Sequence, residues 1–487
     1  MLLVEESLQG ILGEGVAGER SVSRESMREE ILKALDSGEV VAALYRGAWE
    51  EYPLVVREAR REGLNPYLYT PIDRLELTLA APVSPSDLVA AKYSAALASM
   101  ADKALTRLSP SKSVDRRTLL FKPLQGVMEY VPAPILLNPS ICGSWRHCRL
   151  CLDACPHNAL EGKPPMVDAS KCTGCGVCSA VCPFGLLFMP QWNVKALTYM
   201  LDRLRKSTDK PGVIVGVCDS MLGELSNHLE GLDVEYPVVF IHIHCPGWLT
   251  EFHMLEAALS GFDVVIACSD DRVAECRDGG ASERWLKEME PLGAYPAIIR
   301  SPEELAETLA SYKPRSRPLR GVEHLTVDKT AAYSILEAYG VEEASFSTPI
   351  VGYPEVDEEK CLLCEACSNS CPYGALRLSA EGDEFKLVFD ASKCTACGAC
   401  EASCPYGALR LSYRFSRSLL GKSHVLAKDE VARCRMCGRP IGSLKHLKAL
   451  EKKLRESGVD EWVIEQLWLC QECKVKRLLG GGARRRI

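Results

Sequence analysis

The sequence predicts a multidomain chain of mixed α/β and α+β class, and three observations carry that prediction. Cysteines recur in the run C-x2-C-x2-C-x3-C-P at 172–183, 361–372 and 394–405. The nine residues from Cys371 to Ser379 are repeated unchanged from Cys404 to Ser412, 33 residues later, so each cysteine-rich block reads as a duplicated unit. Between the blocks, residues 213–312 alternate apolar strand-like runs with helical patterns, which argues for a small parallel sheet.

At 487 residues and 47% hydrophobic composition, the chain is long enough for roughly three to four domains with separate cores. The expected divisions are an α/β domain of unassigned role at 1–132 and cysteine-rich modules at 133–192 and 351–414. A parallel-sheet α/β domain is expected at 205–313, a linker and helix at 314–350, and a four-cysteine knuckle at 425–480. In the first domain, 39–45 reads as a strand, 50–62 as an amphipathic helix, 66–70 as a second strand and 88–108 as a helix. Further on, a helix is expected over 193–206, then strands at 213–217, 238–243, 264–267 and 297–299. A linker at 311–318 and a short helix over 328–339 follow.

The formal net charge of −7 offers no positive field to a polyanion, and the basic Arg484-Arg485-Arg486 end is short, which disfavours nucleic acid. Glu5 and Glu6 interrupt the apolar start before it forms a signal-peptide core, and no apolar stretch reaches the length of a membrane span. A cytoplasmic location is expected. In such a reducing compartment 24 cysteines do not read as a disulfide framework; they read as metal ligands.

The three complete runs have the spacing of 4Fe-4S ligation. Thiolates are the soft ligands such clusters need, and three at two-residue intervals let one loop wrap one face of a cluster. Pro183, Pro372 and Pro405 redirect the chain, while Gly176 and Gly398 allow backbone amides to approach cluster sulfurs. Zinc sites usually take two separated C-x2-C knuckles instead.

These blocks resemble the two-cluster bacterial ferredoxin family, in which the fourth cysteine of each run ligates the other cluster. The resemblance implies ferredoxin-like 2x(4Fe-4S) modules. In the second, Cys361, Cys364, Cys367 and Cys404 hold one cluster, and Cys394, Cys397, Cys400 and Cys371 the other. In the first, Cys172, Cys175, Cys178 and Cys155 hold one cluster. The remaining run departs from the pattern, because Trp145 stands where its first cysteine belongs. Cys142 lies three residues upstream and is expected to complete the fourth 4Fe-4S cluster with Cys148, Cys151 and Cys182. The alternatives are a cluster with three protein thiolates, such as 3Fe-4S, or His147 as ligand.

Cys218, Cys245 and Cys268 follow the strands 213–217, 238–243 and 264–267, so a parallel sheet should bring them to one edge, with Cys276 in the next loop. A 2Fe-2S cluster is the natural occupant; buried strand-end thiols are the simpler alternative. His242 and His244 share one face of their strand and read as residues of a polar face, a histidine ligand beside Cys245 being the other reading. The stretch from Cys245-Pro246-Gly247-Trp248 to Cys268 resembles the delta, or iron–sulfur, subunit of methyl-viologen-reducing hydrogenases. It departs from that family at Ala267-Cys268-Ser269-Asp270-Asp271, where Gly-Cys-His-Pro-Gly is usual. The resemblance implies a hydrogenase or formate dehydrogenase as donor and a heterodisulfide-reductase-like flavoprotein as acceptor.

Cys434, Cys437, Cys470 and Cys473 form two C-x2-C pairs around a helical stretch at 444–456, the arrangement of a zinc ribbon or treble clef. Structural zinc is expected there, with a fifth iron–sulfur centre as the alternative. No dinucleotide fingerprint, phosphate loop or C-x3-C-x2-C radical motif is present, so no substrate chemistry is expected. The chain reads as an electron-transfer subunit of an anaerobic redox complex. A free-standing polyferredoxin carrier and a redox-sensing regulator are the other readings.

Overall fold

Leu2, Leu3 and Val4 are fully buried, because they form a central strand of the first sheet rather than a frayed end. The computed structural model describes residues 1–12, 19–99, 108–110, 128–130, 132–136, 138–144, 148–189, 191–269, 280–319, 321 and 331–480. The chain divides into two compact units, one of residues 1–341 with 345–350 and one of 342–344 with 351–487.

In the first unit, β1 (Leu2–Glu5), β2 (Glu19–Val22), β3 (Val41–Tyr45) and β4 (Tyr69–Asp73) form a parallel sheet in the order β2-β1-β3-β4. The strand expected at 66–70 starts later. Pro66 opens a 3-10 turn over Pro66–Leu68, and the Asn65 side chain accepts the Tyr67 amide at 3.0 Å, which holds those residues out of the sheet. The helix expected at 88–108 runs from Pro85 to Ala98 with Ser84 as its N-cap, and residues 100–107 lie outside the described residues.

A second parallel sheet contains β5 (Gly212–Cys218), β6 (Val238–Ile243), β7 (Phe262–Ala267) and β8 (Ala294–Ile299) in the order β6-β5-β7-β8. Its three leading strands are buried along their whole length, as helices on both faces require. The two sheets share a core. Trp49 packs on Phe240 with centroids 4.9 Å apart, and the buried Glu76 carboxylate accepts the Phe240 amide at 2.9 Å and Lys92 Nζ at 2.5 Å.

The segment read as a linker at 311–318 is fastened to this core. The buried Asp263 carboxylate accepts from Tyr312 Oη at 2.7 Å and from the Arg315 and Ser316 amides at 2.8 Å each. The short helix beyond it spans Ala331–Ala338; positions 328–330 lie outside the described residues.

Both cysteine-rich modules show the same doubled plan. In the first, Ile135–Leu136 pairs antiparallel with Leu187–Phe188, and Leu160–Glu161 with Met166–Val167. In the second unit, Tyr353–Val356 pairs with Leu409–Ser412, and Leu376–Glu381 with Glu384–Phe389. There the inner hairpin continues into His424–Arg433 and Pro440–Ser443, so module and C-terminal knuckle share one four-stranded sheet. Among the described residues, no helix is long and apolar enough to cross a membrane.

Candidate metal centres

The second module shows how short loops aim sulfurs inward. Leu363, Glu365, Ala396 and Gly398 have φ of 50°, 70°, 55° and 73°, so each loop makes the same two left-handed turns between its cysteines. Burial pushes the Cys367 thiol up to about 12, with Cys361, Cys364 and Cys404 adding to the effect as close neighbours. Burial likewise raises Cys397 and Cys400; Cys371 contributes to the first, and Cys394 and Cys397 to the second. The structure therefore brings together Cys361, Cys364, Cys367 and Cys404, and separately Cys394, Cys397, Cys400 and Cys371. Across the duplication, Ser370 Oγ and Ser403 Oγ meet at 2.8 Å.

In the first module Gly174 and Gly176 take the left-handed positions, with φ of 72° and 89°. Cys178 is raised by burial, then by Cys175, Cys172, Cys151 and Cys155. Burial pushes Cys151 up to about 12, with Cys182, Cys148 and Cys142 adding. Cys142 itself is raised by burial, against which Lys163 acts, and by Cys182 and Cys148. Its place on the helix Pro139–Ser144 thus carries Cys142 to Cys148, Cys151 and Cys182 despite the long spacing. Trp145 and His147 lie outside the described residues.

These sites suit a sulfur-rich, electron-accepting group. Amides donate to four of these sulfurs: Ala159 to Cys155, Leu186 to Cys182 and Ala408 to Cys404 at 3.3 Å each, and Ala396 to Cys394 at 3.4 Å. The hydroxyls of Thr173 and Thr395 are buried inside the loops, that of Thr395 directed at the Cys397 sulfur. The spread of the sulfurs also fits a multi-iron group. A tetrahedral zinc site with bonds of about 2.3 Å needs sulfurs roughly 3.8 Å apart. Among the described residues, three or more ligand atoms gather within 4.8 Å of one another only at Cys434, Cys437, Cys470 and Cys473.

At that knuckle the Cys437 and Cys470 sulfurs are 3.6 Å apart. Burial would raise the Cys434 thiol, but the amides of Cys470, Met436 and Cys437 that point at it lower it to about 6. The Cys470 amide lies 3.3 Å from that sulfur, and Gly438, at φ 74°, closes the turn. This geometry is sized for a single ion.

The central sheet gathers its thiols at the carboxyl edge of the strands. Cys218 ends β5, Cys268 follows β7, and both, with Cys245, are buried. Ser220 Oγ lies 3.0 Å from the Cys218 sulfur and 3.9 Å from that of Cys268. A hydrogen bond with Cys268 and then burial push the Cys218 thiol far above its ordinary range. Cys276 lies outside the described residues.

His242 and His244 are not simply residues of a polar strand face. Both rings clasp Asp219, His242 through Nε2 and His244 through Nδ1 at 2.9 Å. Although burial opposes it, these two rings hold the Asp219 carboxyl well below the usual carboxylate range. The sequence reading missed Asp219; its one signal was an acidic residue directly after a strand-end cysteine. Trp248 was missed as well. It ends the turn Pro246–Trp248 and donates its indole N–H to the Gly174 carbonyl at 2.7 Å. The turn that follows Cys245 is thereby packed against the loop from Cys172 to Cys178 of the first module.

No curated protein matches the chain. Two stretches, residues 146–186 and 360–408, match the family described as the 4Fe-4S dicluster domain, so this chain carries iron–sulfur electron-transfer domains of that kind.

Proposed function

We propose that the protein is the electron-relay subunit of a multisubunit oxidoreductase. Cys142, Cys148, Cys151 and Cys182 would hold one 4Fe-4S cluster, and Cys172, Cys175, Cys178 and Cys155 a second. Cys361, Cys364, Cys367 and Cys404 would hold a third, and Cys394, Cys397, Cys400 and Cys371 the fourth. Cys218, Cys245 and Cys268, with Cys276, would hold a 2Fe-2S cluster, and the four knuckle cysteines a structural zinc. Such clusters, when bound, take up and release electrons one at a time; the chain's own part is to hold them, hydrogen-bond their sulfurs and set their exposure.

The observation that carries this reading is the contact of Trp248 with Gly174. A free-standing carrier has no need of a parallel-sheet domain whose turn after Cys245 packs on a cluster loop; a relay does. All eight run cysteines of the second module are partly exposed, whereas Cys151, Cys175 and Cys178 of the first are buried, which favours the second module for exchange with partners. By the resemblance at 245–268, the donor is a hydrogenase or formate dehydrogenase and the acceptor a heterodisulfide-reductase-like flavoprotein, in a cytoplasmic, anaerobic setting.

Anaerobic purification with iron, sulfide and zinc analysis, followed by EPR of the reduced chain, tests the proposal. The expected content is about eighteen irons and one zinc. About sixteen irons without a 2Fe-2S signal would remove the central cluster, and about twelve would also remove the Cys142 site. Isolation without any stoichiometric oxidoreductase subunit would favour the free carrier.

A further inference from the structure

We infer that Thr173 and Thr395 donate their hydroxyl hydrogens to sulfurs of the 4Fe-4S cluster held by their own loops, and so raise the reduction potential of that cluster. The inference rests on the cluster assignment proposed above and adds a role for two residues that are not ligands. Both threonines follow the first cysteine of a run, in Cys172-Thr173-Gly174-Cys175 and Cys394-Thr395-Ala396-Cys397. Their hydroxyl oxygens are buried, and no nitrogen or oxygen of the chain takes them up. Thr395 is 3% exposed, and its hydroxyl faces the Cys397 sulfur. A buried hydroxyl left unpaired is costly, and cluster sulfur is the acceptor these loops are shaped to bring within reach.

The backbone isolates the effect to the side chain. In all three complete runs the third and fifth residues are left-handed: Gly174 and Gly176 at φ 72° and 89°, Leu363 and Glu365 at 50° and 70°, Ala396 and Gly398 at 55° and 73°. The second residue is therefore followed by the same pair of turns in each loop, yet it is threonine in two runs and Leu362 in the third. A donor to cluster sulfur disperses the negative charge added on reduction, so it favours the reduced state. Within the second module, the Thr395 cluster should then lie above the Leu362 cluster and hold the electron longer. Each cluster gains one electron, and the hydroxyl proton stays on its threonine.

The test is an EPR-monitored potentiometric titration of the full, anaerobically purified chain carrying its clusters. Thr173→Val and Thr395→Val keep the shape and remove the donor; each should lower one transition, changing the reduced-to-oxidised ratio at fixed potential about tenfold, or about 59 mV for one electron. The Thr173→Ser and Thr395→Ser chains should titrate like the parent. Leu362→Thr places a donor in the partner loop and should raise that cluster alone. Valine chains with full iron and unmoved potentials overturn the inference. Should valine cost iron, an unmoved potential in Leu362→Thr overturns it. A parent chain with fewer than about sixteen irons in 4Fe-4S form faults the four-cluster assignment instead, and the shift is then read on whichever threonine-bearing cluster is present.

Discussion

The indole N–H of Trp248 reaches the carbonyl oxygen of Gly174 at 2.7 Å, a buried hydrogen bond between residues 74 apart. It ties two loops that each end at a cysteine, Cys245 three residues before the indole and Cys175 one residue after the carbonyl. Only a close approach of backbones makes this contact. A Cβ on Gly176 would lie 2.4 Å from the Gly247 oxygen, and one on Gly174 would lie 2.6 Å from the Pro132 oxygen.

Gly176→Ala should therefore be far more damaging than Gly398→Ala, although the two glycines hold the same place in their runs. Both adopt left-handed backbone, which costs alanine about 1–2 kcal/mol. Around Gly398 nothing lies within 4 Å of an added methyl, whereas at Gly176 a main-chain carbonyl blocks it. Thermal unfolding of the two variants should show a modest shift for Gly398→Ala and a much larger one for Gly176→Ala. EPR of Gly176→Ala should also show altered coupling between the central centre and the nearest 4Fe-4S signal. Equal shifts would mean that the loops can part without cost.

Lys92→Met should destabilise the first unit by about 3–5 kcal/mol, because it strands the buried Glu76 carboxylate. Burial already raises the Glu76 carboxyl above its ordinary value, with Lys92 acting against that, and depresses the Lys92 ammonium, with Glu76 acting against that. Glu76→Gln combined with Lys92→Met removes both charges and should recover much of the loss, since the Gln oxygen can still accept the Phe240 amide. Chemical denaturation of the single and double variants measures the difference. A double variant no better than the single would show that packing, not the stranded charge, dominates.

The cysteine runs were legible because ligand spacing is a local property, and the second sheet was legible because its strands are continuous apolar runs. What escaped is non-local. β2 reads Glu19-Arg20-Ser21-Val22, without the alternation that marks a strand, and forms because it lies beside β1 at the sheet edge. The Pro- and Arg-rich stretch at 311–318 resembles a spacer, yet Asp263, about fifty positions earlier in sequence, holds it down. The clasp of His242 and His244 on Asp219 spans two different strand ends, 23 and 25 residues apart, which no periodicity reports. Cys142 was reachable only by counting thiols; the turn of helix that delivers it is not written in the spacing.

Stability of the first unit should fall between pH 6.5 and pH 4 through His253. This ring is buried; its Nδ1 accepts the Thr250 amide at 3.1 Å and its Nε2–H donates to the Trp192 carbonyl at 2.9 Å, an arrangement that needs the neutral form. Burial lowers its pKa from 6.5 to about 4. Between those values the unfolded chain binds a proton that the folded chain refuses, so stability is complete above the unfolded pKa and is lost as pH falls towards the folded one. The full span corresponds to roughly 3 kcal/mol. His253→Gln, which keeps an acceptor for the Thr250 amide, should flatten this part of the pH profile of urea unfolding. An identical slope in the variant would assign the loss to other groups.

Removing metal from the C-terminal knuckle should unfold its surroundings locally. Cys434 and Cys473 are buried while Cys437 is exposed, so Cys437→Ser changes a ligand without opening a cavity. Only three thiolates then remain, and the affinity of a closed structural site should collapse. The knuckle also anchors the start of Pro440–Ser443, whose Ser443 caps the helix Leu444–Glu456 and accepts the His446 amide at 3.2 Å. Loss of the ion should thus expose that helix and the paired end of His424–Arg433 to hydrogen exchange. The strands Tyr353–Val356 and Leu409–Ser412 pair in a sheet of their own, apart from the knuckle sheet, and should keep their protection. Zinc analysis with hydrogen–deuterium exchange on the parent, the chelator-treated chain and Cys437→Ser checks this. If all three chains protect 440–456 equally, the knuckle is held by the packing of Leu447, Trp468 and Ala432 and not by an ion.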